Sequence, residues 1–243
     1  MIQQGVKPDV VTYSSLMDGF CLCNQMDEAT KLFDHMVSSG IADVFSCNIL
    51  INGYCKSKRI DEATKLFYEM IKSSLVPNFV TYTTLIKGLR EAGDWNWYLD
   101  EALTLFKAME KSRLKPDCVS FTILIDGMCK AGRLNDAKEL VFRHFEKGLQ
   151  PNVYTYSAII KGLCKEGLLD EAYKVFRGME KSGCLPNGCC YNVIIQGFLG
   201  HKDVAKATQL IDEMVDKGFS ADASTFELVI HLSRNDDLIL RKL

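Results

Sequence analysis

VYTYSAIIKGLCKEGLLDEAYKVFRGMEKSGCLPN, residues 153–187, holds two helices and two stops. Tyr156, Ile159, Ile160 and Leu163 stand at i, i+3, i+4 and i+7, which is one face of a helix. Gly162 and Gly167 bracket its end. Asp170 follows as the N-cap or a first-turn acid of a second helix. In that helix Ala172, Val175, Phe176 and Met179 repeat the same spacing. Gly183 supplies a C-terminal stop, and Pro186 prevents continuation. The stretch predicts a helical hairpin with a short return loop.

The unit recurs along the chain. Ala29, Ala63, Ala102, Ala137, Ala172 and Ala207 share one slot, at spacings of 34, 39, 35, 35 and 35. A period in this range means a stacked array rather than one globular core. Gly19, Gly53, Gly88, Gly127, Gly162 and Gly197 share a slot in the first helix. Glycine inside a helix costs ~1 kcal/mol against alanine, so its recurrence predicts close helix–helix approach. The predicted fold class is all-α: a right-handed α-solenoid of stacked helix-turn-helix repeats of about 35 residues, with the first helices lining the inner wall. Repeats are expected at 10–43, 44–78, 79–117, 118–152, 153–187 and 188–222. Residues 1–9 read as the end of a truncated preceding repeat, so the chain is expected to be a fragment of a longer array. Residues 223–243 begin a partial repeat, in which Leu238, Ile239 and Leu240 are expected to cap the last apolar face.

Composition narrows the function. The 243 residues are 47% hydrophobic and 25% charged, with no apolar run near 18 residues, so no membrane span is predicted. Lys and Arg number 29 against 31 Asp and Glu, and this balance alone gives no support for nucleic-acid binding. Cys21, Cys55, Cys129 and Cys164 occupy one slot, two residues after the repeated glycine, where two repeats carry Arg90 and Leu199 instead. A metal ligand or disulfide partner would not tolerate that exchange, so these cysteines read as small buried hydrophobes in a reducing compartment. His35, His144, His201 and His231 fall in unrelated slots. No metal, cofactor or acid–base constellation is predicted, and the chain is not expected to be an enzyme. Repeat three carries four extra residues within Asp94-Trp95-Asn96-Trp97-Tyr98-Leu99. They are expected between its two helices at an edge of the stack, with the aromatics folded back onto helix ends or forming a protein-partner site.

The Trp-Leu-Gly-Tyr pattern of tetratricopeptide repeats is absent. Instead Val10-Val11-Thr12-Tyr13-Ser14-Ser15-Leu16 follows Lys7-Pro8-Asp9 and recurs as Phe79-Val80-Thr81-Tyr82-Thr83-Thr84-Leu85-Ile86 and as Val153-Tyr154-Thr155-Tyr156-Ser157-Ala158-Ile159-Ile160. With GLCKEGLLDEAYKVFRGMEKSGCLPN at 162–187, the chain resembles the plant pentatricopeptide repeat proteins of the P class, close to the fertility-restorer-like group. The resemblance covers nearly the whole chain. It implies binding of single-stranded RNA, one base per repeat, without catalysis. It also implies a monomer at work on organellar RNA processing, stability or translation, in the mitochondrion or alternatively the chloroplast. A peptide-binding helical scaffold is the alternative.

The resemblance assigns roles to three slots. Second-slot residues Val11, Phe45, Val80, Val119, Tyr154 and Cys189 would wedge between successive bases, most strongly at the aromatic Phe45 and Tyr154. Fifth and last slots would read base edges as pairs: Ser14 with Asp43, Asn48 with Asn78, Thr83 with Asp117, Thr122 with Asn152, Ser157 with Asn187, and Asn192 with Asp222. Guanine and uracil present an imino N–H that Asp can accept, whereas adenine and cytosine present a ring acceptor that the Asn amide can meet. A short Ser or Thr leaves room for a purine, and the longer Asn reaches a pyrimidine. The pairs then read 5′-G(C/U)GAAU-3′. The last-slot residues also precede helices, where Asp and Asn are preferred N-caps. The fifth-slot residues lie one turn inside a helix, where little structural need for a polar side chain is expected. Lys56, Lys130 and Lys165 share a slot near the end of the first helix and would meet phosphates or serve as ordinary helix C-terminal cations.

Overall fold

The computed structural model describes residues 8–93, 95–146 and 151–233. Among them it holds helices α1 (Val10–Leu22), α2 (Met26–Ser38), α3 (Val44–Lys56), α4 (Ile60–Lys72), α5 (Phe79–Glu91), α6 (Trp95–Lys111), α7 (Cys118–Lys130), α8 (Leu134–Glu146), α9 (Val153–Lys165), α10 (Leu169–Lys181), α11 (Gly188–Gly200), α12 (Val204–Asp216) and α13 (Ala223–Ser233), and no strand. The protein is all-α. It divides into two compact units, Met1–Ile123 and Leu124–Leu243, with the division inside α7. In the first unit α1 pairs with α2, α3 with α4 and α5 with α6, while α1, α3 and α5 stack side by side. In the second unit α9 pairs with α10 and α11 with α12, while α9, α11 and α13 stack.

The two helices of a hairpin start by different physics. Each first helix follows an Asp or Asn whose side chain accepts the N–H three residues on, as Asp9 does from Thr12 at 2.9 Å and Asn152 from Thr155 at 3.0 Å. Second helices α2, α4 and α10 have no side-chain cap and place Asp27 and Glu28, Asp61 and Glu62, and Asp170 and Glu171 in the first turn instead. There the carboxylates face the positive end of the helix dipole. Asp170 is therefore a first-turn acid, and Leu168 occupies the cap position. The stops are left-handed residues with φ between 57° and 101°, such as Gly167, Gly183, Lys58 and Arg113. This is the conformation that closes helix C-termini.

The repeated small residues make the core. All six slot alanines are fully buried, and Met36, Met70, Met109, Met179 and Met214 lie behind them at 0–2% exposure. The glycine slot has a specific partner, the slot cysteine of the preceding repeat. A Cβ on Gly53 would meet Cys21 Sγ at 2.5 Å, one on Gly88 would meet Cys55 Sγ at 2.3 Å, one on Gly162 would meet Cys129 Sγ at 2.5 Å, and one on Gly197 would meet Cys164 Sγ at 2.2 Å. The thiol fills the space that the missing side chain leaves. Burial pushes the Cys55 thiol up to about 12 and those of Cys129 and Cys164 up to about 11, so they stay protonated. Among the described residues the cysteines are free and no group of side chains is arranged to hold a metal ion. No helix among them is long and apolar enough to cross a membrane.

The insertion of repeat three is not a loop between two helices. It lengthens α6, which runs for 17 residues where α4 and α10 run for 13. Leu99 is 2% exposed and Ala102 fully buried, so the core face of α6 continues unchanged. Trp97 is 75% exposed and does not fold back; Asp94 and the side chains of Trp95 and Asn96 lie outside the described residues. Residues 1–7 and the expected cap at Leu238, Ile239 and Leu240 also lie outside them.

Candidate nucleic-acid interface

The last slot is fixed by the backbone it caps. Oδ1 of Asp43 accepts from Ser46 N–H at 2.8 Å, that of Asn78 from Thr81 at 3.1 Å, and that of Asp117 from Ser120 at 2.8 Å. In the second unit Asn152 accepts from Thr155 at 3.0 Å, Asn187 from Cys190 at 3.1 Å, and Asp222 from Thr225 at 2.8 Å. A backbone N–H needs an oxygen, so each Asn must turn its Oδ1 to the cap and its Nδ2 away from it. Each Asp likewise turns its second oxygen away. The cap thus converts residue identity into chemistry: Asn presents a donor and Asp an acceptor at the same point. Capping and base reading are compatible because they use different atoms of one side chain.

Second-slot residues are all exposed: Val11, Phe45, Val80 and Val119 in the first unit, Tyr154 and Cys189 in the second. Their exposures reach 63% at Phe45 and 68% at Tyr154, which is unusual for an aromatic with a core beneath it. Between Phe45 and Val80 lies an open groove of about 710 Å³, whose polar lining includes Asp43, Asn48 and Asn78. Six of its ten lining residues are polar, so the groove sets several fixed donors and acceptors beside two exposed apolar side chains.

The fifth slot departs from expectation, because most of its residues do have structural work. Asn48 donates from Nδ2 to Asn78 Oδ1 at 3.2 Å and accepts from the Thr81 hydroxyl at 2.7 Å. Asn192 donates to the carbonyls of Gly188 and Ser220 at 2.8 and 3.2 Å and accepts from Asp222 N–H at 2.9 Å. The Thr83 and Thr122 hydroxyls bond back to Phe79 and Cys118 carbonyls of their own helices. Ser157 Oγ lies 3.3 Å from Cys190 Sγ. Ser14 alone fits the idea of a polar group without structural need: its Oγ is buried with no hydrogen bond among the described residues. Such an orphan costs about 1–3 kcal/mol.

Sequence reading missed the third slot. Ser46 and Thr81 complete reciprocal capping boxes with Asp43 and Asn78, and Thr81 also touches the fifth-slot Asn48 of the preceding repeat. The Asp/Asn followed three residues later by Ser/Thr was a readable capping signal. Two of the slot lysines are engaged. Lys130 pairs with Asp126 at 2.7 Å, and Lys165 donates to the Lys130 carbonyl at 3.0 Å, the role of a helix C-terminal cation. Lys56 is exposed at the end of α3, where its charge bears on Cys21.

No sequence among curated proteins matches the chain. The family described as "PPR repeat family" matches residues 42–91 and 186–232, and that described as "PPR repeat" matches 4–37, 112–141 and 147–180. Among solved structures, the pentatricopeptide repeat protein PPR10 from maize is similar at 26% identity and a TM-score of 0.70, over 99% of this chain and 34% of that one. This chain thus spans about a third of that structure. The PPR domain of Arabidopsis thaliana protein-only RNase P 1, solved in complex with tRNA, is similar at 19% identity and a TM-score of 0.63, over 76% of this chain and 95% of that one. PPR10 in complex with an 18-nt psaJ RNA element aligns at 18% identity and a TM-score of 0.53, over 99% of this chain and 45% of that one. The repeated hairpin, its capped first helices and these matches together place the chain in the pentatricopeptide repeat family.

Proposed function

We propose that the chain binds single-stranded RNA through its first helices, one base per repeat, and acts without catalysis. One observation carries the reading. Each last-slot side chain is pinned by its cap, so that Asp offers an acceptor and Asn a donor beside an exposed second-slot side chain. RNA presents what fits that arrangement: unstacked bases with distinct Watson–Crick edges and π-faces that lie against apolar or aromatic walls. The reading assigns 5′-G(C/U)GAAU-3′ as the preferred run. It also assigns the plant P class near the fertility-restorer group, and a role in organellar RNA processing, stability or translation, in the mitochondrion or alternatively the chloroplast.

Equilibrium binding to single-stranded RNA containing that run, beside a scrambled one, tests the reading. Tighter binding to the ordered run is expected. Equal affinity would remove the base assignments, and no binding to any RNA would turn the interpretation toward a peptide scaffold. Tyr154→Ala is expected to weaken binding by ~1–3 kcal/mol if its ring stacks on a base.

A further inference from the structure

Ninth-slot residues lie at the reading pair in repeats one, two and six. This slot holds Asp18, Asn52, Lys87, Asp126, Lys161 and Gln196. In the first unit, Asp18 and Asn52 line the same groove as Asp43, Asn48 and Asn78. In the second unit, Gln196 on α11 is half-buried. Its Nε2 lies 2.9 Å from Thr225 Oγ1, 3.1 Å from Asp222 Oδ1 and 3.4 Å from Asp222 Oδ2.

An amide nitrogen has two hydrogens. One satisfies Thr225, and the other is shared over the carboxylate, mainly on Oδ1. That oxygen already takes the Thr225 N–H at 2.8 Å. Two donors therefore hold Oδ1 and fix the carboxylate plane. Oδ2 receives only the long contact and keeps its lone pairs for an incoming N–H. Uracil and cytosine differ at this edge by an imino N–H against a ring acceptor, so the placement of Oδ2 is what separates them.

We propose that the ninth slot is a third base-discriminating position beside the fifth and the last, and that Gln196 is the positioning residue for Asp222. The inference rests on the reading that the chain binds single-stranded RNA one base per repeat. The slot's variation from acid to amide to lysine then tunes each reading pair separately.

The test uses the full chain with Gln196→Ala and with Gln196→Met, which keeps the side-chain length but removes the N–H donors. Fluorescence anisotropy measures affinity for 5′-GCGAAU-3′, for the same RNA with C at the sixth base, and for the same RNA with C at the fifth. The preference for U over C at the sixth base is expected to fall ~3–10-fold in both variants, the worth of one or two hydrogen bonds. The preference at the fifth base and the melting temperature should stay at wild-type values, which a merely structural role would not predict. An unchanged sixth-base preference in the Gln196→Met protein overturns the inference and leaves RNA binding standing. Equal losses at both bases also overturn it, because the effect is then on the fold. If the wild-type chain binds no RNA, or shows no preference at the sixth base, the underlying reading fails as well.

Discussion

Repeats two and six both carry Asn in the fifth slot, and the two side chains are bonded in different ways. Asn48 bonds to other side chains, Asn78 and Thr81, at the edge of an open groove. Asn192 bonds to main chain, taking the Gly188 and Ser220 carbonyls and the Asp222 N–H. In repeat two Asn78 Oδ1 accepts from the cap N–H and from Asn48, whereas in repeat six Asp222 Oδ1 accepts from the cap N–H and from Gln196. The same letter in the same slot bonds to neighbouring side chains in one place and braces the backbone in the other. A code written on slots alone treats them alike; their hydrogen bonds do not.

The comparison supposes a common backbone frame, and the strongest perturbations test that first. Gly88→Ala would place a Cβ 2.3 Å from Cys55 Sγ, and Gly197→Ala one 2.2 Å from Cys164 Sγ. Each should destabilise by ~3 kcal/mol, at the upper end of overpacking costs. Adding Cys55→Ala to Gly88→Ala should restore only part of the loss, because the Cys55 Cβ still lies 2.8 Å away. Urea denaturation followed by circular dichroism measures both, and a cost present in one region alone would break the shared frame.

Behind repeat six stands an ionic support. Arg177 grips Glu213 with two hydrogen bonds, Tyr191 donates to Glu213 at 2.7 Å, and Lys217 joins from 3.7 Å. The Arg177 hydrogen bonds hold the Glu213 carboxyl down to about 2, against the opposing effect of burial. A depressed carboxyl contributes stability that is fully present above its ordinary value of 4.5 and is lost as pH falls through about 2. Arg177→Ala should therefore cost ~2 kcal/mol at neutral pH, and the difference from wild type should shrink as the melt is moved toward pH ~2. Tyr191 also packs edge-on to Phe176 at 5.0 Å, as Tyr82 in the same slot of repeat three does to Phe67 at 5.5 Å, contacts without charge to titrate.

The brace itself is tested by Asn192→Ala, which strands the Asp222 N–H and the Ser220 carbonyl. A cost of ~1.5 kcal/mol is expected, against ~1 kcal/mol or less for Asn48→Ala, whose partners Asn78 and Thr81 keep their capping bonds. Equal thermal shifts would erase the distinction drawn between the two sites. The gentlest change is Asn78→Asp. Asp caps as well as Asn, so stability should move by less than ~0.5 kcal/mol. RNA preference at the second base should nevertheless turn from C toward U, read by competition binding. A preference that stays with C would mean that the outward atom of residue 78 does not meet the base.

Much of this was readable from the chain alone, for physical reasons that can be named. Helix faces follow from local spacing, so Ile160, Leu163, Ala172 and Phe176 were placed correctly in the core. The glycine slot announced close packing, but its partner lay a whole repeat earlier in Cys55 or Cys164, beyond the reach of local pattern. The fifth slot misled for the same reason. Within its own helix Asn192 has only the Gly188 carbonyl to bond, and its need becomes visible only once Ser220 and Asp222, 28 and 30 residues on, fold against it. The insertion misled differently: extra residues between two helices suggest a loop, although their helical phase was there to be counted.

That phase has a consequence for how such a chain changes length. Four residues advance a helix by about 400°, only some 40° beyond a full turn, so everything after the insertion in α6 keeps nearly its old azimuth. Two residues would advance it by about 200° and swing Ala102 out of the core toward water. Growth at the head of a second helix is therefore quantised: it goes by whole turns or forces every downstream contact of that helix to be rebuilt. Repeat three has taken one such step, and the new turn carries Trp97 outward while the stacking beneath it is left as it was.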